Sequence, residues 1–265
     1  MIFLLAGNPN TGKSTFFNSM TQSHVHVGNY SGVTVEKRVH HIKHYEGANL
    51  VDLPGTYNVS PSGEDEGVVT YSLLNEAYNG IINVIDSTHL KRNLHLTIQL
   101  LELGVPTLLV LNLKDALKNN GYVVDTDKLA KLLKANAISI SAREHKKEDQ
   151  LLVVEELKNI RANSGIELDY PQPIKWGLQR IHDLLRYDNI KVKKKWLALQ
   201  ILEGNEGIFQ FLDVVKEEKI RQVVTEVEER IIAQDIALSL KGAIFNTRRE
   251  FINQVVEDSL IKVED

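Results

Sequence analysis

The stretch Met1-Ile2-Phe3-Leu4-Leu5-Ala6-Gly7-Asn8-Pro9-Asn10-Thr11-Gly12-Lys13-Ser14 decides the fold. Gly7 to Ser14 fits the pattern G-x-x-x-x-G-K-[ST]. The apolar run before it reads as a buried strand, and Thr15-Phe16-Phe17-Asn18 after it can open a helix. In that setting the glycines let backbone N–H groups curl around phosphate oxygens. The Lys13 ammonium reaches toward the β- and γ-phosphates, and the Ser14 hydroxyl can ligate Mg²⁺. A chance glycine-rich turn would not need the strand before it and the helix after it.

Downstream of this loop, short Val-, Ile- and Leu-rich runs recur at Leu50 to Leu53, Ile81 to Ile85, Pro106 to Leu111 and Ala137 to Ile140. Their continuous apolarity predicts strands buried on both faces of a mostly parallel sheet. Leu94 to Leu103 and Asp127 to Ala135 carry apolar residues at helical spacing, and Gly104 supplies a stop for the first. The alternation predicts a doubly wound α/β domain over residues 1–165. Beyond Tyr170-Pro171-Gln172-Pro173 no strand series follows. Helical patterns take over, and the sequence predicts an all-α domain of about four or five helices over residues 170–265.

Four further elements follow the phosphate loop in order. Asp52-Leu53-Pro54-Gly55 ends a strand, so Asp52 can hold Mg²⁺ through water and the Gly55 N–H can meet a γ-phosphate. Asn112-Leu113-Lys114-Asp115 follows the strand ending at Leu111. A carboxylate there accepts two hydrogen bonds from guanine N1–H and N2–H₂, a donor pair that adenine lacks. Ser141-Ala142-Arg143 is placed to offer a backbone N–H to the guanine O6. Gly32-Val33-Thr34, between the phosphate loop and Asp52, places Thr34 as a switch threonine for Mg²⁺ and the γ-phosphate. A phosphate loop alone leaves ATPases open, and the guanine signature turns the reading to GTP. Catalysis is assigned to Lys13, Thr34 and Gly55, acting by positioning and charge neutralisation.

Composition narrows the alternatives. A formal net charge of -4 argues against a broad nucleic-acid-binding face. There is no cysteine, so thiolate chemistry is excluded, and no apolar run long enough to span a bilayer. His24, His26, His40, His41 and His44 follow no metal-ligand pattern and read as strand and loop residues. Lys191-Val192-Lys193-Lys194-Lys195-Trp196 reads as a solvated helix face, with approach to an anionic membrane as its competitor.

Val27 to Glu36, Asp52 to Tyr57 with Ser60-Pro61, and Asn83-Val84-Ile85-Asp86-Ser87-Thr88-His89-Leu90-Lys91-Arg92-Asn93-Leu94 carry a resemblance to the cytosolic N-terminal region of the FeoB ferrous iron transporters. The resemblance is detailed over residues 1–145 and rests on helical character beyond 170. It implies that residues 170–265 are the family's spacer, a GDP-dissociation inhibitor. It also implies that a membrane permease belongs to the same full-length protein at the cytoplasmic face of a bacterial membrane, with oligomers formed through the transporter. It further implies K⁺-stimulated hydrolysis, with Asn10 and the backbone carbonyls of Gly28 and Tyr30 around the ion. Thr56 stands where Ras-type enzymes place a catalytic glutamine, so the charge of an ion would have to supply part of what a protein side chain supplies elsewhere. Lys114 is third in its motif rather than second, which predicts modest guanine affinity. The competing functions are a freestanding ribosome-assembly GTPase and a nucleotide sensor that does not hydrolyse.

Overall fold

The computed structural model describes residues 1–30, 36–59, 64–160, 165–186, 188 and 192–263. The first part of the chain runs β1 (Ile2–Gly7), α1 (Lys13–Met20), β2 (Thr21–Asn29), β3 (Glu36–Ile42), β4 (Asn49–Asp52), α2 (Glu64–Asn75), β5 (Gly80–Asp86), α3 (Leu90–Leu103), β6 (Thr107–Asn112), α4 (Lys114–Asn119), β7 (Tyr122–Val124), α5 (Thr126–Leu133), β8 (Asn136–Ser139) and α6 (Lys147–Lys158). The second contributes α7 (Gln172–Leu184), α8 (Lys194–Leu202), α9 (Val214–Ala233), α10 (Leu240–Ser259) and β9 (Leu260–Lys262).

Seven strands form one sheet in the order β2-β3-β4-β1-β5-β6-β8. The run from β4 to β8 is parallel throughout, as expected from its unbroken apolar segments. β5 and β6 are buried at every position. The edge departs from the sequence reading. β2 and β3 form an antiparallel hairpin on β4, which the apolar strand runs do not include. The reason is physical: β3, Glu-Lys-Arg-Val-His-His-Ile, is half exposed and carries charge, so it lacks the continuous apolar signal of its buried neighbours.

A second difference lies at the far end of the chain. Residues 170–265 are not purely helical, because β9 pairs antiparallel with β7. A three-residue strand whose partner lies in the first part of the chain leaves no local signature.

One sheet face packs against α1 and α6 through Phe16, Phe17, Met20, Val153 and Leu157. The other carries α3, which is buried on nearly all sides. Leu96, Leu100 and Leu103 join a core with Ile174, Trp196 and Leu199 of the helical part, while Leu94, Ile98 and Leu101 meet Ile252 and Val255 of α10. The helical part is therefore continuous with the first core across α3.

Polar groups stitch the same interface. Arg248 of α10, 2% exposed, donates to Glu203 at 2.6 Å and to Glu102 of α3 at 2.8 Å. The Tyr170 hydroxyl also donates to Glu102. Burial pushes the Glu102 carboxyl upward, and the Arg248 guanidinium and the Tyr170 hydroxyl pull it back. Burying three charged groups is expensive, and their geometry offsets the desolvation only while all three are present. Arg248→Met strands two carboxylates in apolar surroundings and is expected to cost about 3–5 kcal/mol. Urea unfolding of the variant measures this; a loss under about 1 kcal/mol would mean the triad is dispensable.

Candidate functional site

The C-terminal ends of β1, β4, β5 and β6 face one edge of the sheet, where open parallel sheets hold their ligands. The phosphate loop leaves β1 here. Gly12 has φ +82, and a Cβ on it would collide with the Asn112 Nδ2, so both conformation and space demand glycine. Asn10 also lies in the left-handed region, at φ 65. The Thr11 hydroxyl closes the loop on the Asn8 carbonyl at 3.0 Å. The Asn8 side chain is buried, and its Nδ2 has no partner among the described residues. Lys13, Ser14 and Thr15 then form the first turn of α1, whose free N–H groups and dipole favour an anion.

Asp52 ends β4 beside β1, in register with Leu5. The Lys13 ammonium donates to the Asp52 carboxylate and, at 2.7 Å, to the Leu53 carbonyl. Both charged groups thus meet at the phosphate loop. The Leu53-Pro54-Gly55 turn abuts the same loop: a Cβ on Gly55 would lie 3.3 Å from the Pro9 Cα. Thr56 is buried; its N–H donates to the Gly7 carbonyl at 3.2 Å and its hydroxyl to the Asn58 carbonyl at 2.6 Å. Ser14 and Asp52 supply hard oxygen donors, the class that Mg²⁺ takes, so the residues fit that ion.

Asn112 ties three loops together. Its Nδ2 donates to the Thr11 carbonyl at 3.0 Å, and its Oδ1 accepts the Ala142 N–H at 2.9 Å. Ser87 holds its backbone, donating to the Asn112 carbonyl at 2.6 Å. Leu113 then adopts φ 63, an uncommon conformation for a bulky residue, and turns the chain so that the Lys114 N–H reaches the Ile140 carbonyl at 3.3 Å. Asp115 follows in the first turn of α4, where Ser141 donates to its carboxylate. Arg143 lies in a three-residue 3₁₀ helix, Ala142–Glu144.

The predicted residues on the phosphate loop, Asp52 to Gly55, Asn112 to Asp115 and Ser141 to Arg143 are thus brought together. Gly32, Val33 and Thr34 lie outside the described residues, as do Ser60 and Pro61. Gly28 pairs with Lys37 within the edge hairpin, and Tyr30 is buried with its hydroxyl on the Asp52 carbonyl at 3.0 Å. Ser87, a lone serine after a strand, carries no sequence pattern of its own that marks this role.

A sequence model of the family described as ferrous iron transport protein B matches residues 1–154, and a model of the FeoB cytosolic helical domain matches residues 170–261. The chain belongs to the FeoB family. A FeoB Fe(2+) transporter of Staphylococcus aureus (strain MSSA476) is 34% identical over 260 residues, which are 97% of this chain and 38% of that protein. One of Escherichia coli (strain K12) is 36% identical over 208 residues, 76% of this chain and 26% of that protein. The chain therefore spans less than half the length of these FeoB relatives. Among solved structures, a GDP-bound point mutant of the S. thermophilus FeoB G-domain superposes with a TM-score of 0.84 at 28% identity, covering 98% of this chain and all (100%) of that one. The cytosolic domain of L. pneumophila FeoB gives 0.82 at 29%, covering 99% and 100%. The T. maritima FeoB cytosolic domain in its GMPPNP form gives 0.78 at 25%, covering 99% and 100%.

The phosphate loop of this FeoB chain leads to a direct expectation. Gly12→Ala forces a side chain into the left-handed region and onto Asn112, and is expected to cost about 1–3 kcal/mol of stability. Thermal unfolding of the variant checks it, and an unchanged midpoint would contradict the geometry.

Proposed function

We propose that the chain binds GTP and GDP and hydrolyses GTP slowly, as the regulatory GTPase region of a bacterial Fe²⁺ transporter. The observation that carries the nucleotide reading is the Asn112 clamp, which gathers the phosphate loop and both guanine-facing loops at one sheet edge. Asp115 accepts from the guanine edge, and Lys13 and the α1 N-terminus neutralise the phosphates. Ser14 and Asp52, with Thr34, would hold Mg²⁺, which supplies charge neutralisation at the β- and γ-phosphates. Gly55 donates its N–H toward the γ-phosphate.

Thr56 stands where Ras-type enzymes carry the water-positioning glutamine, and it is buried and engaged with Asn58. This supports a role for an activating cation, with Asn10 and the carbonyls of Gly28 and Tyr30 as its candidate ligands and charge stabilisation as its contribution. It also keeps a non-hydrolysing sensor as the second reading. Residues 1–165 act as the G domain and residues 170–265 as the helical spacer that reads the nucleotide state. The permease of the same full-length protein, at the cytoplasmic face of the membrane, receives the signal. The basic run supports no separate membrane anchor: Lys194 donates to the Arg186 carbonyl at 2.6 Å, Lys195 pairs with Glu167 at 2.8 Å, and Lys193 lies over Gly104 at the end of α3. No helix among the described residues is long and apolar enough to cross a membrane.

Turnover of GTP and ATP by the purified chain tests the reading. GTP is expected to be the preferred substrate, with turnover abolished in Lys13→Ala. Asp115→Ala is expected to weaken GTP binding by about 10- to 100-fold, through the loss of charge-assisted hydrogen bonds. ATP preference would overturn the guanine assignment. Binding without phosphate release would favour the sensor. Hydrolysis is also expected to rise when K⁺ replaces Na⁺, and Asn10→Ala to remove that rise; equal rates in both salts would dismiss the cation.

A further inference from the structure

Gln99 of α3 is 2% exposed, yet all of its polar side-chain atoms are engaged. Its Oε1 accepts the Val59 N–H at 2.9 Å. Its Nε2 donates to the Asn58 Oδ1 at 3.2 Å and to the His95 carbonyl at 3.2 Å. The orientation of the amide is set by this network, because a flipped amide would face a donor with a donor. On the opposite side, the backbone carbonyl of the same residue accepts the indole N–H of Trp196 at 3.1 Å. Trp196 belongs to α8 and is itself 2% exposed.

The segment that Gln99 grips is the continuation of Asp52-Leu53-Pro54-Gly55. Gly55 abuts Pro9 of the phosphate loop, and the Thr56 N–H is bonded to Gly7. Val59 is held at its carbonyl as well, by the Thr70 hydroxyl of α2. A shift of Gly55 toward a γ-phosphate would therefore pull on Asn58 and Val59, and the Gln99 amide holds both of them. Buried hydrogen bonds of this kind are costly to leave unmade, so the anchor and the segment move together or break at a definite cost.

We propose that Gln99 is the positioning residue that couples the loop after Asp52-Leu53-Pro54-Gly55 to the helical part, through the Trp196 indole. The coupling rests on the nucleotide reading above, and it names the contact through which the helical part senses the nucleotide. Two states biased by one ligand at one end are the requirement for such coupling, and Trp196 is the reporter at the other end.

The chain has two tryptophans, Trp176 and Trp196, so ¹⁵N labelling gives two indole N–H resonances, assigned by Trp176→Phe. The Trp196 resonance is expected to shift when GDP is replaced by a non-hydrolysable GTP analogue. Gln99→Met, which keeps volume and helix propensity but no acceptor or donor, is expected to abolish the shift. Gln99→Glu, whose carboxyl burial keeps protonated and so able to accept from Val59 and donate toward Asn58, is expected to retain it. Calorimetry is expected to show GDP binding within about threefold of the parent in both variants, since Gln99 contacts no phosphate- or guanine-facing group. A Trp196 resonance in the parent that ignores the exchange, while calorimetry reports both nucleotides bound, overturns the proposal without any variant. A shift that survives in Gln99→Met overturns it as well. Absence of nucleotide binding in the parent is a different failure: the nucleotide reading itself falls, and the coupling with it.

Discussion

Helix α3 is the constraint on which the rest of the molecule depends. One side of it covers the parallel sheet, and its other sides are covered by α8 and α10. A helix enclosed in this way has no solvent to satisfy its polar groups, so every polar residue on its buried faces needs a partner. Glu102 finds Arg248 and Tyr170, Thr97 finds the side chain of Asn83, and Gln99 finds the loop after Gly55. Of these, the pairing of Glu102 with Arg248 and Tyr170 reaches the helical part and fixes where it sits. Apolar contact alone would tolerate sliding of α8 along α3, whereas directional bonds from the Trp196 indole and the Arg248 guanidinium do not.

The site is assembled by a similar economy of polar groups. A single side chain, Asn112, holds the phosphate loop with its amide nitrogen and the Ser141-to-Arg143 loop with its amide oxygen. Ser87 on the neighbouring strand end holds its backbone. Three segments distant in sequence are thereby set to a common geometry without needing long-range electrostatics. The Lys13–Asp52 pair adds charge at the Gly7-to-Ser14 end of the same edge, where the ends of β1 and β4 bring both groups together.

Much of this was legible in the residues. The buried strands declared themselves by unbroken Val, Ile and Leu, because a strand enclosed on both faces has no polar alternation to obscure it. The phosphate loop, Asp52 to Gly55, and Asn112 to Asp115 were legible because their chemistry demands particular residue types at fixed spacing after a strand. The edge hairpin was not, since its second strand, Glu36 to Ile42, is half exposed and mixes polar with apolar residues. Ser87, Gln99 and Arg248 were also not legible. Their roles depend on partners far along the chain, and a serine, glutamine or arginine in a helical or turn context looks the same whether exposed or buried.

The sequence by itself determined the class of fold, the order of the site elements, the guanine signature and the family resemblance, because each rests on local pattern: periodicity, glycine placement and motif spacing. Only the tertiary structure decided how the two parts join. The return of β9 to β7, the triad of Glu102, Arg248 and Glu203, and the grip of Gln99 on Val59 are contacts between distant segments. Their energies arise from desolvation and directional bonding within a shared core, and neither quantity exists until the chain has folded around α3.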